Sequence, residues 1–486
     1  MSVKIVYKDV AVGADEDAVM SAVGASDLST IALIPFGNDN RNKYATLERN
    51  FWVLDGTRKL VTSADQFSFW STELSGDDGR FTTPPEITAT MDEQYSSLGI
   101  MLDFGNLGYC SEVEIIWYQG STVLEQKTFY PNAATFYCEQ SVTSYNKVTL
   151  RLIKTNIPNR RARLNAIYFG ITRTFQRDEL RSVKIEQEIN LISQETPENT
   201  LDWTLNSAEV IDYLFQAKQP VEAYNGESLI GVFYISDSDR KSARVYSVTC
   251  VDAIGVLDDE PFPDAVYTDK NALALANEIC GDFDVEMDAD LQSKTVTGII
   301  ARKTRREALQ QLCFAIGAVA DTSGSRSVRI FKPATDNAKE IPANRVRVGG
   351  VVRKEGVVTA IQLTAHSYST SGEGESVEIN GTRYYDTKTV TTINNPNVTA
   401  SDKPNVVSIA DATLISSANV AEIAQRVYDY YMRRNTHSVS FRLEDEKVGD
   451  YISTPTSWGD MVTGNYTKAS IVLSGIAVTT AEVVGT

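Results

Sequence analysis

The stretch from Lys218 to Pro261 alternates apolar and polar side chains over three runs, and this constrains the chain more than any single residue does. Successive side chains on a strand point to opposite faces, so a period of two selects a half-buried sheet over a helix. Leu229, Gly231, Phe233 and Ile235 share one face of the first clear run. Val245, Ser247, Thr249 and Val251 share one face of the next, with Tyr246, Val248 and Cys250 on the other. Tyr224-Asn225-Gly226 marks a tight turn, because Asn and Gly accept the positive φ that hairpin turns need. The run closes in Asp252-Ala253-Ile254-Gly255. Nothing in it resembles an active site, which tilts the reading towards a structural part.

At 486 residues the chain exceeds one ordinary core, and roughly three or four domains are expected. No run of about 18 apolar residues occurs, so no membrane insertion is expected. The opening MSVKIVYKDV lacks a charged-then-apolar secretory profile, so folding in a cytoplasm is expected. Cys110, Cys138, Cys250, Cys280 and Cys313 are scattered and form no C-x-x-C pair. They read as buried free thiols rather than as a disulfide framework or zinc ligands. A formal net charge of −18 argues against specific nucleic-acid binding, which rests on Lys and Arg neutralising phosphates. The one basic run, Arg160-Arg161-Ala162-Arg163, reads as a solvated loop.

Residues 30–170 carry short strands without long helical patterns between them. Leu98–Gly105, Glu112–Tyr118, Lys147–Ile153 and Leu164–Gly170 are the clearest, and their spacing predicts a β-sandwich after an N-terminal arm at 1–29. A second β-rich block, 171–265, opens with the alternating segment Ser182–Ile189 and ends at a linker, Leu257–Pro263, whose prolines disfavour helix and ladder alike. Residues 266–333 read as a small α+β unit. There Asn271–Cys280 is helical in propensity, and Thr304-Arg305-Arg306-Glu307 is a capping box. Ala308, Leu309, Leu312, Cys313 and Ile316 then line one face before a stop at Gly317. Residues 334–486 are β-rich again. Their one helix is capped at Ser417 and striped by Val420, Ile423, Ala424, Val427 and Tyr431.

Candidate chemistry is sparse. His366 and His437 both sit in strand-like surroundings, which leaves histidine-based catalysis without support. No P-loop, nucleophile elbow, dinucleotide fingerprint or zincin motif occurs, so neither enzyme activity nor a cofactor is expected. The acids Asp282, Asp284, Glu286 and Asp288 alternate with Phe283, Val285 and Met287. Met287 and Ser293 stand where a calcium loop needs Gly and Glu, so the segment reads as a half-buried strand. Glu73–Gly79 reads as a plain acidic turn. Sugar rings stack on exposed aromatic faces, which makes Tyr44, Trp52 and Trp117 the candidate glycan-binding residues. The competing expectation is that sandwich tryptophans fill the core.

Tyr44–Gly56 (YATLERNFWVLDG), Phe69-Trp70-Ser71-Thr72, Pro84-Pro85 and Leu102-Asp103-Phe104-Gly105 together resemble a discoidin-like (coagulation factor 5/8 type C) module carried by phage tail proteins. The resemblance implies a jelly-roll scaffold, with Trp70 in it, and carbohydrate binding through loops at one end. From about residue 171 the chain resembles baseplate or tail-tip hub proteins of tailed phages and phage-like particles. That likeness rests on Pro220–Tyr224, Leu229–Ile235 and Val245–Asp258, on the helix-containing unit at 268–331, and on Val448-Gly449-Asp450 and Trp458–Val462 ahead of Ser470–Ile476.

These resemblances imply a mainly β, multidomain fold: a jelly-roll sandwich, two tube-like β-barrel domains (171–265 and 334–486) and the small α+β domain. They also imply a virion structural protein assembled in the host cytoplasm. It would be a homotrimeric hub whose partners are tail-tube and distal tail proteins and a central spike or tape-measure protein. Its acidic lumen would be inert to passing DNA. The sandwich would either touch host cell-wall glycan or brace the neighbouring ring. The rival expectation is a glycan-active cell-wall hydrolase with a carbohydrate-targeting module.

Overall fold

The computed structural model describes residues 3–37, 44–46, 48–49, 51, 55–62, 65–207, 210, 215–399, 402–473 and 477–485. The fold is mainly β, with several sheets and a multidomain layout. It divides into two compact units, one of Tyr7–Arg173 with Asp212–Phe215, the other of Met1–Val6, Thr174–Ile211 and Gln216–Thr486. No described helix is long and apolar enough to cross a membrane.

The first unit is a two-layer sandwich. Its large sheet runs Val19–Val23, Glu86–Asp103, Thr135–Thr155, Cys110–Gln119, Thr122–Phe129, antiparallel throughout. Residues 19–23, from the segment expected to be an arm, thus supply an edge strand of this sheet. The second layer pairs Phe69–Leu74 with Arg161–Leu164. Phe69 and Leu164 meet Ile115, Trp117, Tyr145 and Leu150 in one core. The expected strand 164–170 is broken at Asn165, whose amide donates to the Asp103 carbonyl at 2.7 Å instead of continuing the ladder.

In the other unit, Pro220–Asn225 and Ser228–Arg240 form the expected hairpin, with Gly226 at φ +64° in the turn. Val245–Val251, Thr200–Asn206 and Leu180–Glu188 extend this sheet. On its other side Leu180–Glu188 pairs with Met461–Leu473, Ile185 standing opposite Ile471. The first and last β-blocks are therefore one continuous sheet.

The last block adds Ala477–Gly485, Asn435–Arg442, Val346–Lys354 and Tyr451–Pro455, and a bridge between Gly350 and Thr456 closes it on itself. Inside, fully buried His437 makes a 2.8 Å hydrogen bond to the Thr454 hydroxyl. A side chain at position 350 would overlap the His437 ring and the Ser438 carbonyl, so only glycine lets the two strands approach here.

Between these blocks lies a helical core. Asn271 caps Ala272–Cys280, and both halves of the Thr304/Glu307 capping box form at the head of Arg305–Ile316. The helix ends at Gly317 in the left-handed region, as its sequence predicts. Val285–Met287 is a short strand parallel to Val328–Phe331, matching the expectation for the acidic string. Three expectations need correction. Leu257–Pro263 is not a linker: Leu257 and Phe262 are buried in the helical core, and Pro261 pairs with Thr304. Ser417 does not cap the late helix, which spans Val420–Met432 behind Asn419. Residues 360–409 leave the final barrel and form a separate four-stranded sheet. Its Ile361, Leu363 and Ile409 pack with the helices because their apolar face continues the helical core.

Candidate functional site

One end of the sandwich is built around the turn that stops its longest strand. The Gly105 amide donates to Asp103 Oδ1 at 2.8 Å, and Asn165 Nδ2 donates to Oδ2 at 2.9 Å. Both carboxylate oxygens are thereby fixed at the strand end. Opposite them, Trp70 stands in register with Arg163 on the small sheet. A cavity of about 260 Å³ lies between, lined by Tyr44, Phe67, Trp70, Asp103, Arg163 and Asn165 among others. Phe67 packs on Trp70 at 4.4 Å between ring centroids and on Tyr44 at 4.9 Å, so an aromatic cluster and polar side chains share the lining.

Arg163 ties this lining together. Its guanidinium lies 4.3 Å from the centre of the Trp70 ring and 5.1 Å from that of Phe51, and it pairs with Glu48. Glu48 also accepts from the Thr46 hydroxyl at 2.6 Å and the Arg161 amide at 2.7 Å. Burial works against the Glu48 charge, yet Arg163 and these donors hold its carboxyl below the usual range. The run Arg160–Arg163 is thus no solvated loop. Arg160 and Arg163 are buried, Arg160 donates to the Arg49 carbonyl at 2.6 Å, and Arg161 donates to the Thr72 carbonyl at 2.7 Å. A counter-charge from Glu48 and carbonyl acceptors make that burial tolerable.

Of the three sequence candidates, Tyr44 lines the cavity. It is almost fully buried, and its hydroxyl donates to Asp65 at 2.7 Å. Asp65 also accepts from Lys59 at 3.0 Å and from the Thr62 amide at 2.8 Å, which draws its carboxyl below the ordinary range. Trp117 is fully buried in the sandwich core, edge-on to Phe129 at 6.5 Å, and presents no outward face. Trp52 lies outside the described residues. Sequence reading missed Glu48, Arg163 and Asn165, because their partners are distant in the chain. Tyr44 is the sequence candidate that reaches the site, and Leu102–Gly105, read as scaffold, supplies its Asp103.

The cavity brings aromatic side chains together with a fixed carboxylate and a side-chain amide. The histidines lie elsewhere. His366 is held by Asp386 at 2.8 Å and the Ala410 carbonyl at 3.1 Å, and His437 is enclosed in the last barrel. Among the described residues no group of His, Cys, Asp and Glu is placed to hold a metal.

No protein-family model matches the chain, and no curated protein matches it. Among solved structures, it is similar to the tail protein from Neisseria meningitidis MC58 at 11% identity and TM-score 0.47, covering 64% of this chain and 93% of that one. The prophage MuSo2 43 kDa tail protein from Shewanella oneidensis is similar at 11% identity and TM-score 0.47, with 64% and 96% covered. The prophage tail protein gp18 from Listeria monocytogenes EGD-e is similar at 11% identity and TM-score 0.43, with 64% and 91% covered.

Proposed function

We infer that the chain is a structural component of a phage or phage-like tail, a hub that closes the end of the tail tube as a homotrimer. The observation that carries the reading is the strand Leu180–Glu188, which joins the first and last β-blocks into one sheet. Each chain then presents two antiparallel β-blocks side by side, and three chains around an axis present six. A threefold ring with six like staves matches a sixfold tube at one face and a threefold tip at the other. The role is mechanical and assigns the chain no reaction. Tail-tube and distal tail proteins would contact the ring, and a spike or tape-measure protein its axis. Native mass spectrometry of the full chain, followed by electron microscopy, tests this. A trimer or a six-block ring is the expected result. A chain that stays monomeric, both alone and with its neighbouring tail proteins, would overturn it.

A second reading concerns the sandwich, whose end cavity combines an aromatic cluster with the Asp103–Asn165 pair. In this reading the cavity takes one sugar unit of a host cell-wall glycan. Glycan-array binding by the full chain should be lost in Asp103→Ala. Uniform absence of binding in the wild type would leave the sandwich with a bracing role.

A further inference from the structure

His437 stands on Asn435–Arg442 with its ring turned into the last barrel, fully buried. It lies at the seam that closes that barrel. Met461–Leu473 holds one edge of Tyr451–Pro455, and Lys339–Glu340 holds the other at Ile452 and Ser453. Among the described residues, a single main-chain bridge, Gly350 to Thr456, then joins this hairpin to Val346–Lys354. The imidazole spans the same seam from inside. Nδ1 is 2.8 Å from the Thr454 hydroxyl on one lip. Nε2 lies against Gly350 on the other, where a Cβ would come within 2.2 Å of it.

The site admits one proton on the ring and no second. The Thr454 hydroxyl donates to the Val462 carbonyl at 3.4 Å and accepts from Nδ1, which assigns the proton there. Nε2 is buried with no hydrogen-bond partner, and the glycine α-carbon it meets accepts nothing. The packed strands bring no counter-charge either. Val352 and Val483 stand opposite His437 on the two neighbouring strands. Behind Val483 comes Tyr466, the titratable group of that row, whose hydroxyl is engaged by Thr479 at 2.7 Å. The barrel's buried ion pair, Arg345 with Glu446, lies by Phe441, further along the strand. Burial alone therefore moves the ring, lowering its pKa from 6.5.

We propose that this seam is an acid-released latch, in which a second proton on His437 parts Val346–Lys354 from the Tyr451–Thr456 lip and gives Nε2 to water. A buried cation with neither acceptor nor counter-charge is unfavourable, and opening the seam hydrates it. Because the folded ring holds its proton less tightly than an exposed one, the stability it secures is fully present above about pH 6.5. That stability is lost as pH falls through the folded value. The latch belongs to the last barrel and rests on neither the tail reading nor the sandwich cavity.

The test is hydrogen exchange of the full chain at pH 7.5 and 5.5, corrected for intrinsic rates, in wild type and His437→Asn. At pH 5.5 an exposed imidazole with the ordinary pKa of 6.5 favours its charged form about tenfold, so the open seam gains up to about that factor. On acidification, peptides covering 346–354 and 451–456 should lose about threefold to tenfold more protection in wild type than in the variant. The ladder between 469–473 and 477–481, away from the seam, should change alike in both. If His437→Asn does not fold, ring NMR of the wild type decides, since the chain has two histidines. One ring should then stay neutral below pH 6.5 until seam protection falls. Wild type and variant losing seam protection in parallel, or both rings titrating near pH 6.5 with the seam still protected, would each overturn the proposal.

Discussion

Asp252 offers the sharpest test of how the β-block and the helical core are held together. Its side chain is fully buried and caps the Ala253–Val256 turn by accepting from the Gly255 amide at 2.9 Å. It also accepts from the Thr322 hydroxyl at 2.6 Å. Asn199 reaches the same hydroxyl at 3.0 Å, and the nearby Asp321 has Arg329 at 3.1 Å as its counter-ion. No cation serves Asp252 among its hydrogen-bond partners. Burial pushes its carboxyl up from 3.8 to about 7, against the lowering effect of the Thr322 and Gly255 donors. A folded-state pKa above the unfolded one means that the native state binds more protons between pH 4 and 7. The associated stability is therefore fully present below about pH 4 and lost as pH rises through about 7. At about 1.4 kcal/mol per pH unit, the full span is about 4 kcal/mol, a ceiling for the local effect. Asp252→Asn cannot titrate but keeps an oxygen for the Gly255 amide. Hydrogen exchange of peptides spanning 246–257 and 318–324 should show wild-type protection falling by about 2–4 kcal/mol relative to the variant between pH 5 and pH 8. An unchanged wild-type-to-variant difference at the two pH values would refute the reasoning.

Three further changes probe the packing. Gly350→Ala should destabilise the last barrel by about 3 kcal/mol or more, because the methyl meets His437 and the Ser438 carbonyl; a wild-type melting temperature would contradict this. Thr304→Ala removes the capping hydroxyl at the Arg305–Ile316 helix and should cost about 1 kcal/mol, seen as a drop of a few degrees in thermal melting. Glu48→Gln strands the Arg163 charge between two rings and should cost about 3–5 kcal/mol, whereas the pair Glu48→Gln with Arg163→Met should recover much of it in a double-mutant cycle. Equal costs for the single and double variants would sink the idea that these two charges act as a pair.

Local signals were legible in the sequence and long-range ones were not. Period-two alternation and an Asn-Gly turn located the 220–251 strands, because both act within a few residues. The Thr304/Glu307 box located a helix start for the same reason. Leu257–Pro263 was misread because prolines report on the local backbone and not on the burial of Leu257 and Phe262 by helices downstream. The arginine run was misread because its neutralising carboxylate, Glu48, lies more than a hundred residues earlier. The 360–409 strands carry the same alternation whether they face a barrel or a helix layer, so their pattern could not say which. Tyr44 lines the candidate cavity, but Trp117 had no local mark to separate a core tryptophan from a surface one.

The pairing of Leu180–Glu188 with Met461–Leu473 also sets a timetable for biosynthesis. On the ribosome the earlier strand emerges with one ladder edge empty, and its partner follows some 280 residues later in the same chain. At about 5–20 residues per second the open edge waits for roughly 15–60 s. Unpaired edges recruit other strands, so a nascent or truncated chain is most adhesive during that interval. Arrival of the late strand both completes the sheet and closes that open edge, so prematurely terminated chains should be the more prone to aggregate.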